Sequence, residues 1–191
     1  MWVHEGFTAY SENLFLDYYY GTEASADYVI GTRKNIQNDK PVIGTYDVNS
    51  EGSSDMYYKG ANMLHTLRQL VNDDEKWRQL LRGLNKTFYH QTVTTQEIEA
   101  YISEFSGLNL TAFFNQYLRD VRIPTLEYSI KKKQLKYRWI NVVENFKMPI
   151  EIEVNEEKQW LYPTADWKKT IINSKQINID RNYYIDHKQL N

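Results

Sequence analysis

The feature that most constrains this chain is a change of hydrophobic period at Pro124. Before it, apolar residues recur at the helical spacing. Trp77, Leu80, Leu81, Leu84 and Phe88 form one such stripe, and Asn72 with Glu75 offers a capping-box start for it. Thr94 with Glu97 repeats the start signal ahead of Ile98, Tyr101, Ile102 and Phe105, and Gly107 ends that helix, because Gly adopts a positive φ at little cost. Leu110, Phe113, Phe114 and Tyr117 open another. Two earlier helices are expected at about 5–20 and 55–71, with a mixed stretch between them and a long ordered loop at 39–54. After Pro124 the period falls to 2. Leu126, Tyr128 and Ile130 alternate with Thr125, Glu127 and Ser129; Leu135, Tyr137 and Trp139, and then Ile150, Ile152 and Val154, alternate with polar residues in the same way. Short strands with polar outer faces, separated by turns such as Lys131–Lys133, predict a small antiparallel sheet or sandwich. The expected fold class is α+β: a mainly helical part over 1–122 and a small β domain over 123–191.

Composition removes several classes of function. The 191 residues hold no cysteine, which excludes disulfides, thiolate metal sites and a cysteine nucleophile, and is compatible with either redox compartment. Aromatics at 15% and a net charge of −2 are wrong for a disordered chain, and that charge advertises neither nucleic acid nor an anionic membrane. No apolar run approaches the length of about 18 residues that a membrane-spanning helix needs. The opening MWVHEGF lacks the basic start and apolar stretch of a signal peptide. There is no P-loop, no G-x-G-x-x-G, no G-x-S-x-G elbow and no internal repeat.

Two places remain where chemistry can sit. Glu5 and Glu12 are seven residues apart and share a helix face. A carboxylate at Glu5 can bind a metal, and one at Glu12 can orient a neighbouring ligand; taken alone, the pair is more simply a solvated helix face. His4-Glu5 begins like H-E-x-x-H, but the residue four beyond His4 is Thr8, so the helical zinc motif is absent. In Tyr57-Tyr58-Lys59-Gly60-Ala61, a hydroxyl can donate to a developing oxyanion and Gly60 can admit a close backbone neighbour. For any one of 16 tyrosines, core packing is the simpler account.

Together these segments resemble a known family. Trp2-Val3-His4-Glu5-Gly6-Phe7-Thr8-Ala9-Tyr10-Ser11-Glu12 resembles the W-x-x-E-G-x-x-x-Y-x-E segment of the aminopeptidase N type of zinc metallopeptidases, the gluzincins. Tyr57-Tyr58-Lys59-Gly60-Ala61, followed by Met63-Leu64, resembles the family's later Y-E-K-G-A segment, with Tyr58 in place of its Glu. Phe113-Phe114-Asn115-Gln116-Tyr117 with Ile123-Pro124 resembles the segment that closes the catalytic domain before a β-sandwich. The resemblance implies the helical C-terminal half of a thermolysin-like catalytic domain, followed by a small antiparallel β-sandwich-like domain. It implies zinc as cofactor and a peptide substrate cleaved at its amino terminus. Glu5 matches the third zinc ligand, Glu12 the carboxylate that hydrogen-bonds a zinc-bound histidine, and Tyr57 the tyrosine that stabilises the tetrahedral intermediate. His4 stands where the family often has Asn and is not expected to be a ligand.

The family's H-E-x-x-H and G-x-M-E-N segments precede the first of these matches, so this chain is expected to neither hold zinc tightly nor hydrolyse peptides by itself. Two other functions compete. One is a non-catalytic peptide- or glycan-binding module on a degenerate scaffold, with Tyr18, Tyr19 and Tyr20, or Trp160 and Trp167, as a contact platform. The other is self-association through an uncovered apolar face on the first helix, including Phe7, Tyr10 and Leu14.

Overall fold

In the computed structural model, which describes residues 1–45 and 51–191, the helical part is built around one almost wholly buried helix. This is α3 (Tyr58–Val71), in which every residue from Lys59 to Leu67 is buried. Helix α1 (Trp2–Tyr20) lies against it through Trp2, Gly6, Tyr10 and Asn13, a helical stripe at steps of four, four and three. Helix α2 (Thr22–Gly31) adds Ser25, Ala26 and Val29. Gly21, at φ 89 and ψ 169, turns the chain from α1 into α2 in a conformation that suits only glycine. The expected loop at 39–54 runs through residues 46–50, which lie outside the described residues.

Helix α4 (Asp74–Thr87) buries Trp77, Leu80 and Leu84. Its cap is Asp73, which accepts the Lys76 N–H at 2.9 Å, and not Asn72. Asn72 instead ends α3 in the left-handed region at φ 49, a position Asn tolerates better than most residues. Helix α5 (Thr95–Ser106) starts with the Thr94–Glu97 capping box and stops at Gly107, at φ 76, as the residues require. Helix α6 (Thr111–Phe114) runs into one wide π-type turn over Asn115–Arg119 that buries Gln116, Tyr117 and Leu118.

The β part contains two small sheets. Strands β1 (Thr125–Lys131) and β2 (Gln134–Ile140) form a hairpin closed by Lys132 and Lys133, both at positive φ, as a two-residue turn of matching twist needs. Strands β3 (Ile150–Val154) and β4 (Glu157–Leu161) repeat the device with Asn155 and Glu156. With β5 (Lys168–Ile171), β6 (Asn178–Ile179) and β7 (Asp186–Gln189), the sheet orders are β5-β2-β1-β7 and β4-β3-β6. One pairing departs from the expected antiparallel pattern: β7 runs parallel to β1. It arrives by a long crossover, so hairpin geometry does not dictate its direction. Glu127 also departs from its expected outer face. It is 6% exposed and paired with Arg138 at 2.7 Å.

Residues 180–185, the last stretch of that crossover, bind the β part to the helices. Tyr184 N–H donates to Thr66 Oγ1 at 2.8 Å, and its carbonyl accepts the Tyr117 hydroxyl at 2.7 Å. Arg181 reaches Glu23 and Asp27 of α2 at 2.5 and 2.7 Å. His65 of α3 meets Asn182 Oδ1 through Nε2 at 2.9 Å and the Asn13 amide through Nδ1 at 3.4 Å. One apolar cluster accordingly runs without a break from Trp2 to Tyr184. Of the face of α1 expected to be uncovered, Tyr10 is corrected, being 1% exposed and edge-on to Trp77, while Phe7 and Leu14 are half-buried. The exposed aromatics of α1 are Phe15, Tyr18, Tyr19 and Tyr20 at its end. Trp160 and Trp167 are half-buried, and Lys136 and Arg138 cover the Trp167 ring at 4.3 and 4.4 Å.

Candidate functional site

Helices α1 and α3 cross backbone to backbone, and the crossing point is a pair of glycines. A Cβ on Gly60 would stand 3.0 Å from Gly6 Cα, and a Cβ on Gly6 would stand 3.2 Å from the Met56 carbonyl oxygen. No other residue allows the axes so close, because carbon atoms in contact prefer about 3.5–4.0 Å. The residue before Gly6 is Glu5, and the residue three before Gly60 is Tyr57. The crossing therefore sets the backbone that carries Glu5 next to the backbone that carries Tyr57, although 52 positions separate them in the chain.

Glu5 is half-buried and Tyr57 is 42% exposed, so both face accessible space while their backbones are fixed. The charge of the nearby Glu5 carboxylate, and then loss of water, push the Tyr57 hydroxyl above the ordinary tyrosine range. Tyr57 thus keeps its proton at neutral pH and is a donor.

Glu12 does not join them. It lies two turns further along α1, exposed, where its carboxylate accepts the Tyr28 hydroxyl of α2. That contact, followed by desolvation, pushes the Tyr28 pKa up to about 12. His4 is exposed on the same helix.

Three supporting residues escaped the sequence pattern. Tyr28 lies on α2, in the stretch read as mixed. Lys59, buried, donates from Nζ to the Asp120 carbonyl at 3.0 Å and ties the end of the helical part to the helix that Tyr57 precedes; burial lowers its pKa. Asn62, also buried, donates to the carbonyls of Val29 and Tyr58 and to Thr32 Oγ1 at 3.0–3.1 Å, and accepts from Arg33 Nε at 2.8 Å. A lysine and an asparagine inside an otherwise apolar helical run were the available signal, since buried polar groups need partners.

Zinc, the metal the resemblance implies, needs three or four protein ligands. At the crossing stands one suitable carboxylate, Glu5, with a phenol beside it. Among the described residues, no three His, Cys, Asp or Glu side chains group closely enough to hold a metal. This donor set does not make a zinc site by itself.

Residues 1–117 match the Peptidase family M1 domain. The fold is similar to that of a solved structure, aminopeptidase A of Legionella pneumophila in complex with aspartic acid, with a TM-score of 0.66 at 15% identity. That similarity covers 96% of this chain and 23% of the other, so this chain spans less than a quarter of that protein's length. The family match takes in α1, α3 and both residues of the crossing, and the chain belongs to peptidase family M1.

Proposed function

We propose that the chain forms the helical C-terminal part of the catalytic domain of a zinc aminopeptidase (residues 1–122), with a small β domain over residues 123–191. The observation that carries this reading is the glycine crossing, which sets Glu5 beside Tyr57 within the segment that matches the family. In the complete protein Glu5 is one zinc ligand, and two histidines of an H-E-x-x-H segment are the others. Glu12, held by Tyr28, orients one of those histidines. The substrate is a peptide bound by its amino-terminal end.

Tyr57 carries the step that this chain performs. As the scissile carbonyl becomes tetrahedral, its oxygen gains charge, and the Tyr57 O–H donates to it. The interaction strengthens only as the charge develops, so it raises turnover more than it tightens binding. The test is Tyr57→Phe in the protein that includes the preceding segment, assayed on aminoacyl anilides. A loss of about 3 kcal/mol, or about 10²–10³ in kcat with KM little changed, is expected from one oxyanion donor. Unchanged turnover overturns the role.

One observation favours a second reading, that of a peptide- or glycan-binding module. Phe15, Tyr18, Tyr19 and Tyr20 are all more than half exposed, and the rings of the other three surround that of Tyr19 at 4.6, 4.9 and 6.5 Å between centroids. Affinity for peptide or glycan that Tyr18→Ala and Tyr19→Ala abolish, and Tyr57→Phe leaves intact, supports this reading.

A further inference from the structure

The turn that delivers Tyr57 is anchored by a buried acid. Asp55 is 2% exposed, and its two carboxyl oxygens accept the backbone N–H groups of Gln37 at 2.8 Å and Asn38 at 2.6 Å. Around it the chain is tied twice more. Asp55 N–H donates to Ser53 Oγ at 3.1 Å, and the Ser53 hydroxyl donates to Asp39 Oδ1 at 2.6 Å. Asn38 sits in the left-handed region at φ 50, with its side-chain amide on the Tyr184 hydroxyl at 3.1 Å. The helical turn Ser54–Met56 is three residues long, and its own capping needs are met by Ser53. The bonds from 37–38 are additional. They are of the strong kind, carboxylate to backbone N–H.

What they fix is the position of this turn against α1. Met56 follows Asp55, and its carbonyl oxygen is the atom nearest to the space above Gly6. Tyr57 comes next. If the turn shifts toward α1 it collides with Gly6, and if it shifts away Tyr57 separates from Glu5.

We infer that Asp55 is a positioning residue, holding the turn at 54–56 against α1 so that Tyr57 stays beside Glu5. The inference deepens the proposed function and rests on the roles given there to Glu5 and Tyr57. Asp55→Asn keeps the shape but turns one acceptor into a donor facing a backbone N–H, so one of the two bonds becomes repulsive.

The test uses the 191-residue chain labelled with fluorotyrosine and read by fluorine NMR, with no need for activity. The Tyr57 resonance is assigned by its disappearance in Tyr57→Phe. In the wild-type background, Glu5→Gln is expected to move that resonance, because the two groups adjoin. In the Asp55→Asn background the same substitution is expected to move it by less than half as much, while circular dichroism reports an intact fold. An undiminished displacement in Asp55→Asn overturns the role of Asp55 and leaves the proposed function standing. No displacement in the wild-type background overturns both, because Glu5 and Tyr57 are then not neighbours. Should Asp55→Asn fail to fold, Asp55→Ser, which keeps a single acceptor and gives up one of the two bonds without placing a donor there, takes its place, and the same pair of results decides.

Discussion

Substituting Gly60 by alanine tests the glycine crossing where it is tightest. The new Cβ would lie 3.0 Å from Gly6 Cα, about 0.5–1 Å inside a comfortable carbon contact. The neighbour is backbone, so no side chain can swing aside; α1 and α3 must separate. Overpacking of this kind costs about 2–3 kcal/mol, and the better helix propensity of alanine returns about 1 kcal/mol. The net loss is then about 1–2 kcal/mol, which for a chain of this size lowers Tm by about 2–8 °C. Gly31→Ala is the internal control. Gly31 has helical backbone, φ −59 and ψ −26, with nothing within 4 Å of an added Cβ. There alanine is expected to leave Tm unchanged or raise it. Thermal unfolding followed by circular dichroism on the two variants and the wild type decides. Equal Tm for Gly60→Ala and Gly31→Ala would show that the helices do not meet through these glycines and would refute the reasoning.

Two further outcomes follow from titratable groups away from the crossing. Burial holds His65 below the ordinary histidine range, so the unfolded chain takes up a proton before the folded one does. The stability due to neutral His65 is complete above about pH 6.5 and is lost as pH falls through the lower folded value. The urea midpoint is expected to drop between pH 7.5 and 5.5 by less in His65→Gln than in the wild type; parallel drops contradict this. Tyr28, raised to about 12 by Glu12, is expected to return toward about 10 in Glu12→Gln, giving one extra tyrosinate near pH 11 by ultraviolet difference spectroscopy. Superimposable titrations would break the Tyr28–Glu12 link.

Local chemistry was legible in the sequence and distant pairing was not. Thr94, Glu97 and Gly107 delimit α5 through bonds that close within one turn. Asn72 and Asp73 are both capping residues, and only the docking of α3 decides which takes the left-handed position. Helix α2 was missed because its buried face is made of Ser25, Ala26 and Val29, too small and polar to register as a hydrophobic stripe. The direction of β7 depends on a crossover that bonds to Thr66 and Tyr117, far from it in sequence. At the site, the segments around Glu5 and Tyr57 could be recognised, and Gly60 signalled a close approach. Gly6 as the element approached, and Tyr28 as the partner of Glu12, emerge only from the packing of α1, α2 and α3.

The central claim is that Glu5 and Tyr57 serve a zinc site completed by an H-E-x-x-H segment. The most direct measurement is to read the gene in frame before the Met1 codon. H-E-x-x-H is expected there, with its second histidine about nineteen positions ahead of Glu5, the separation the family resemblance implies. An open frame that lacks those histidines would contradict that claim and pass the surface of α1 to the binding-module reading.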